Sequence, residues 1–326
     1  MLYRILKVYV RLAIRLYCHS INVNKPEMLK IKGPVLIASN HPNSFFDAIV
    51  YDILFDLPIW SLARGDVFKK FPKAIPFLKS VRIFPIYRTR DGAQSLSENY
   101  QTFDACMKVF EKNEAVTIFS EALCVNEWHL RPLRKGTARI AFMAWDKSLP
   151  VKVIPAGINY SSFRRYGKKI DVNFGEPIIS TCFNLKDTDG NKNLTFNKVL
   201  KEQLDSIVYE IPKGDNTTYD HKFGIKPDAL RRIVLFVPSL LAVLFHWPLY
   251  FTARSFTKKL MNNNDHYDSV MLAFLLFTYP AYLLLITLIA WLVTKNLWAL
   301  TFLLISPITI ISYVKSYVRK DRVFNC

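Results

Sequence analysis

Between residues 34 and 176, short apolar runs alternate with amphipathic stretches. The runs at 35–39, 59–63, 82–87, 115–119, 151–159 and 170–174 predict strands, and the stretches 44–54, 93–112 and 136–145 predict helices. Strands alternating with helices imply an α/β domain with a largely parallel sheet covered on its faces. Residues 195–209 add one more amphipathic helix. The polar stretch 211–227, which holds Pro, Gly and Asn, reads as a linker.

The two ends have a different pattern. In residues 2–17, Arg4, Lys7, Arg11 and Arg15 recur at spacings of three, four and four, so they line one helical face. Leu2, Ile5, Leu6, Val8, Leu12, Ala13 and Leu16 cover much of the rest. A basic stripe beside bulky apolar residues suits a helix lying in a bilayer interface with its cations towards lipid phosphates, or a surface helix packed on the domain. Beyond the linker come three apolar segments, 233–252, 270–293 and 297–314, each about long enough to cross a hydrocarbon core. Pro238 and Pro248 interrupt the first, which predicts a bent, monotopic course, and the other two read as a spanning hairpin turned at Thr294–Asn296. With that topology every large basic cluster, and the catalytic domain with them, lies on the cytoplasmic side.

The resulting division is an interfacial helix over 1–20, a folded domain over 21–210, the linker 211–227 and a membrane region over 228–326. A formal charge of +18 on 326 residues then asks for anionic partners, and the apolar last third selects a bilayer with anionic lipids over nucleic acid, for which no motif is present. The five scattered cysteines form neither a metal pattern nor a disulfide framework. The interrupted apolar run at the N-terminus is not that of a secretory signal.

Candidate chemistry concentrates in Ser39-Asn40-His41-Pro42-Asn43-Ser44-Phe45-Phe46-Asp47. A strand ends at His41 and a helix starts near Ser44, so the imidazole lies at a strand's carboxyl end, where α/β sheets bind ligands. Asp47, a turn into the helix, can reach back to one ring nitrogen and fix its tautomer. Taken alone, the pair reads more readily as a helix-capping histidine and a solvated carboxylate. A His–Asp dyad without a serine suits activation of a hydroxyl carried by the substrate.

Asn40-His41 followed by Asp47 resembles the NHxxxxD motif of the glycerol-phosphate and lysophospholipid acyltransferase family. Four further blocks follow in that family's order. Arg82-Ile83-Phe84-Pro85-Ile86-Tyr87-Arg88 resembles its second block, and Ile118-Phe119-Ser120-Glu121-Ala122 its Phe-Pro-Glu-Gly block. Leu133-Arg134-Lys135-Gly136-Thr137 resembles its Phe-Lys-x-Gly segment, and Val153-Ile154-Pro155-Ala156 its fourth block. Two departures stand out. Five residues rather than four separate His41 from Asp47, so the extra one either sits in the loop before the helix or turns Asp47 by roughly 100°. The third block has Ser120, Ala122, Leu123 and Cys124 where the family has Pro, Gly and Thr-Arg.

The resemblance implies an acyltransferase-like α/β fold and an O-acyltransferase of phospholipid synthesis. It would move an acyl group from acyl-CoA or acyl-carrier protein to a glycerol-phosphate or lysophospholipid hydroxyl, without a metal or organic cofactor. His41 would be the general base and Asp47 its support. Arg88 and Lys135 would hold the acceptor phosphate, with Arg134 and Arg131 beside them. Glu121 would bond a glycerol hydroxyl, orient an arginine, or pair with Arg88 or Lys135. Arg82 is split between substrate binding and a salt bridge within the fold. Cys124 as a nucleophile, thioester hydrolysis, and a catalytically silent membrane-binding protein on the same scaffold are the competing readings.

Overall fold

A computed structural model describes residues 2–87, 93–224, 229–262, 264–316 and 318. In chain order it forms α1 (Leu2–Tyr17), β1 (Cys18–Val23), β2 (Val35–Ser39), α2 (Phe45–Leu54), β3 (Ile59–Arg64), α3 (Gly65–Lys70), α4 (Ile75–Ser80) and β4 (Ile83–Ile86). There follow α5 (Ala93–Glu111), β5 (Ala115–Phe119), α6 (Gly136–Asp146), β6 (Lys152–Tyr160), β7 (Lys168–Phe174), α7 (Asp189–Ile207) and α8 (Asn216–Phe223). The last four are α9 (Ala229–Val234), α10 (Phe236–Met261), α11 (Tyr267–Thr294) and α12 (Phe302–Ser316).

The seven strands make one sheet in the order β1-β7-β6-β2-β5-β3-β4. β6, β2, β5, β3 and β4 are parallel neighbours, so the mostly parallel sheet read from the sequence is present. β7 runs antiparallel to β6, and β1 runs parallel to β7. The reversal has a geometric consequence: the first residues of β1 and β7 lie at the same edge of the sheet as the last residues of β2 and β5.

Alternation along the central strand divides the core. In β2, Leu36 and Ala38 point to a layer formed by α5, α6 and α7, while Val35 and Ile37 point to one formed by α1, α2 and the start of α11. Both faces are covered, which is why Val35–Ser39 is apolar at nearly every position and buried at all of them.

Two expectations change. The interval 211–227 contains α8, whose Asp215 accepts from the Thr218 N–H as an N-cap and whose Tyr219 and Phe223 are buried, so much of it is packed structure. The basic stripe of α1 does not face outward as a whole. Lys7 donates to Phe55 O at 2.8 Å, and Arg11 donates to Ile53 O at 2.6 and 3.0 Å, so these cations satisfy the last carbonyls of α2. Ile5, Val8 and Leu12 are left exposed beside Arg4 and Arg15. The outward surface of α1 is thus apolar with a basic margin, the composition of an interfacial helix.

By length and composition α10, α11 and the stretch Leu297–Ser316 can each cross a membrane, at 26, 28 and 20 residues. α10 runs as one helix from Phe236 to Met261, with Pro248 inside it. The tight turn between the second and third segments is closed by Lys295 in the left-handed region. Leu244, Phe277, Trp298 and Leu304 are among many large apolar side chains that these helices leave uncovered, a surface that water does not favour and lipid does.

The orientation of α1 can be tested with spin labels on Val8→Cys and Leu12→Cys, made in a chain with Cys182→Ser and Cys326→Ser. In proteoliposomes both labels are expected to collide with oxygen in preference to a water-soluble nickel chelate. The opposite preference would remove α1 from the bilayer surface.

Candidate active site

The site is built where β2 and β5 end. Asn40 fastens the end of β2 to β6: its side chain donates to Ile158 O at 3.1 Å and accepts from Ile158 N at 2.8 Å. The next residue, His41, therefore leaves the sheet from a fixed point. Its N–H donates to Glu121 Oε2 at 2.9 Å, its ring stacks on Phe119 with centroids 3.9 Å apart, and its Nδ1 donates to Asp47 Oδ2 at 2.8 Å. Nε2 makes no hydrogen bond to a described residue, and the side chain keeps 18% exposure. One ring nitrogen is thus committed to a carboxylate and the other is available, the arrangement a general base needs.

Asp47 is fully buried, and the same oxygen that takes the imidazole also accepts from Asn43 N at 2.9 Å. The Tyr160 hydroxyl faces this carboxylate. Burial first, and the Asp47 charge second, hold its proton on well above the usual tyrosine range.

The five-residue gap is absorbed before the helix. Ser44 takes φ 57° and ψ −140°, a conformation that costs a non-glycine residue on the order of 1–3 kcal/mol, and the regular turns of α2 begin after it. Asp47 keeps its register with His41 because the extra residue turns the loop rather than the helix.

Surrounding groups secure that loop almost atom by atom. His41 O accepts from Val125 N at 3.3 Å, and Pro42 O accepts from the Asn126 side chain at 2.7 Å. Asn43 O accepts from the Ser269 hydroxyl at 3.0 Å, and Asn43 Nδ2 donates to Asp268 Oδ2 at 2.7 Å. Ser44 N donates to Cys124 Sγ at 3.0 Å, and Ser44 Oγ shares a hydrogen bond of 2.7 Å with His266 Nδ1. Asn43, Asn126, His266, Asp268 and Ser269 were not singled out from the sequence. The available signal was a charged residue, Asp268, two positions before the apolar segment at 270.

The other predicted residues divide. Glu121 is buried and uses both oxygens on backbone, accepting from His41 N and, at 2.8 Å, from Arg131 N. It joins the loop bearing the base to the cationic segment, and no ion pair links it to Lys135. Burial pushes its carboxyl up to about 7, against the opposite pull of the two N–H donors. Arg131 is engaged by Glu127. Arg134 and Lys135 are exposed at the start of α6, with no side-chain ion pair or hydrogen bond to a described residue. Arg134 N donates to Ser120 O at 2.7 Å, which fixes this segment to the same sheet edge as His41. Arg88 lies outside the described residues. Tyr87 before it is held by Asn99, which bonds its N–H and its carbonyl, each at 2.8 Å.

Arg82 does not join the site. It precedes β4, and in a parallel sheet that is the edge opposite His41. Its guanidinium donates to Glu114 at 2.6 Å and lies over Tyr3 and Trp60, so of its two readings the salt bridge within the fold is the one found. Cys124 is no nucleophile. Its sulfur accepts from Ser44 N, and burial drives the thiol far above its ordinary range, so no thiolate is available near neutral pH. A cavity of about 510 Å³ between α9 and α12 takes no lining residue from this site.

Residues 20–159 match the family model described as Acyltransferase, a stretch containing His41, Asp47, Glu121, Arg134 and Lys135. A solved structure, the 1-acyl-sn-glycerophosphate (LPA) acyltransferase PlsC from Thermotoga maritima, is similar at 11% identity over 63% of this chain and 79% of that one, with a TM-score of 0.42. No curated protein matches the chain by sequence.

Two outcomes check these placements. Arg82→Ala is expected to lower unfolding stability in detergent by about 1–3 kcal/mol while leaving turnover unchanged. Glu121 holds its proton more tightly in the folded chain than in the unfolded one, so its contribution to stability is present below about pH 4.5 and is lost as pH rises through about 7. Relative to Glu121→Gln, thermal unfolding of the wild type should therefore lose about 3 kcal/mol between about pH 5 and about pH 8.

Proposed function

We propose that the chain is a membrane-bound O-acyltransferase that moves a fatty acyl group from acyl-CoA or acyl-carrier protein to a hydroxyl of a glycerol-phosphate or lysophospholipid acceptor. One observation carries the reading: the dyad has no nucleophile of its own. His41 has a free Nε2 and a buried carboxylate behind it, yet the nearby hydroxyls and thiol are engaged elsewhere. Ser39 Oγ bonds Tyr51, Ser44 Oγ bonds His266, and Cys124 Sγ receives the Ser44 amide. The attacking oxygen then has to come from the substrate. The match of residues 20–159 to the Acyltransferase family model supports the same class.

In this mechanism His41 Nε2 removes the acceptor's hydroxyl proton as its oxygen attacks the thioester carbonyl. The tetrahedral adduct expels the thiolate, the C–S bond breaks, and the imidazolium returns the proton to the leaving sulfur. Asp47 stabilises the imidazolium through Nδ1. Arg134 and Lys135, with the N–H groups at the start of α6, and Arg88, which follows Tyr87 in sequence, hold the acceptor phosphate. Glu121 keeps the His41 and Arg131 amides in fixed relation, so base and phosphate site hold their spacing. Exposed Phe45 and Leu123 flank the loop and offer the acyl chain an apolar surface. The apolar helices keep the site, on the cytoplasmic side, at the bilayer that receives the product.

The test is a panel of glycerol 3-phosphate, lysophosphatidate and neutral lysolipids, offered with labelled thioester to the protein in proteoliposomes. His41→Ala should lower transfer by about 10²–10⁴-fold. Lys135→Ala should raise KM for phosphate-bearing acceptors about tenfold with kcat retained, a loss of on the order of 1.4 kcal/mol in binding. Transfer insensitive to His41→Ala rules the mechanism out, and free fatty acid released without acceptor identifies a hydrolase instead.

A further inference from the structure

The loop that carries His41 is completed by a segment more than two hundred residues away in sequence. Asp268 and Ser269, in the first turn of the membrane helix α11, are both buried, and both bond Asn43. Ser269 donates to Asn43 O at 3.0 Å and accepts from Phe46 N at 3.2 Å, so one hydroxyl bridges the two sides of the strained Ser44. Asp268 Oδ2 accepts from Asn43 Nδ2 and from Lys168 Nζ, and its Oδ1 accepts from the Tyr17 hydroxyl at 2.6 Å. Lys168 and Tyr17 stand at the start of β7 and the end of α1, brought to this edge by the reversed strands.

We propose that Asp268 and Ser269 are positioning residues for the dyad: the membrane helix sets the Asn43–Ser44 backbone that presents His41 to Asp47. The inference rests on the acyltransferase reading for its kinetic consequences, but the geometry it asserts stands apart from any activity. The Asp47 oxygen that takes the His41 ring also takes the Asn43 amide, and Asn43 is held by two residues of α11. A buried Lys168–Asp268 ion pair would serve the fold alone. The third bond, to Asn43, is the one that reaches the catalytic loop.

The experiment separates these roles in the full-length chain in proteoliposomes. The pair Lys168→Met with Asp268→Asn removes the ion pair but keeps an oxygen to accept from Asn43. The pair Lys168→Met with Asp268→Leu removes both. The first is expected to retain kcat within about threefold. The second, and Ser269→Ala alone, should lose about tenfold to a hundredfold in kcat with KM for thioester and acceptor nearly unchanged. The two double variants should melt at similar temperatures.

An independent reading comes from the low-field proton on His41 Nδ1 in spectra of histidine-labelled protein, assigned by its loss in His41→Gln. It should persist in the Asn pair and weaken in the Leu pair and in Ser269→Ala. Equal losses of activity in the two double variants, or an unchanged Nδ1 signal in both the Leu pair and Ser269→Ala, would overturn the proposal. Where the wild type transfers no acyl group, the enzymatic reading fails by itself, and the Nδ1 signal alone decides whether α11 positions His41.

Discussion

A carboxylate with no exposure to solvent has to find its donors inside the protein, and Asp47 finds them on the loop beside it. One of its oxygens takes both the imidazole of His41 and the amide of Asn43. Its other oxygen, Oδ1, is buried without a hydrogen bond to a described residue, so those two donors carry the carboxylate's hydrogen bonding and hold the loop in one shape. The positive φ of Ser44, the stacking of His41 on Phe119 and the attachment of Asn40 to β6 are all compatible with that shape. The orientation of the His41 ring follows from the burial of its partner.

Topology supplies the rest of the enclosure. Parallel strands bring the ends of β2 and β5 together, which places His41 beside Glu121. The reversed pair β7 and β1 adds the starts of two strands to the same edge, and with them Lys168 and Tyr17. Asp268 then accepts from β7, from α1 and from the His41 loop at once. The sheet and the long apolar helix α11 thus share a polar core.

Much of this was legible from local pattern. Strands 35–39 and 115–119 were read to the residue, because a buried strand flanked by turns has sharp apolar limits. The pairing of His41 with Asp47 was legible only in the company of the ordered blocks around it, and the fate of the extra residue was not legible, since a single φ at Ser44 decides it. β1 went unread because Cys18–Val23 is an edge strand with Ser and Asn in it and no apolar run. Arg82 was ambiguous in one dimension and resolved in three, because strand direction put it at the far edge. Asn126, His266, Asp268 and Ser269, which clamp the loop, were hard to read for a related reason. Each is an ordinary polar residue whose meaning comes from a partner remote in the chain, and spacing carries no trace of such a partner.

The separation of 225 residues between Asn43 and Asp268 also bears on biosynthesis. At translation speeds of about 5–20 residues per second, the ribosome needs roughly 10–45 s to make α11 after it has made the His41 loop. During that interval Lys168 has no counter-ion and Asn43 has no clamp. The strands around them can assemble on the nascent chain, but Asn43 meets its partners only once the segment that follows Met261 has been made. A chain released before that point lacks the two side chains that hold the Asn43–Ser44 backbone beside His41.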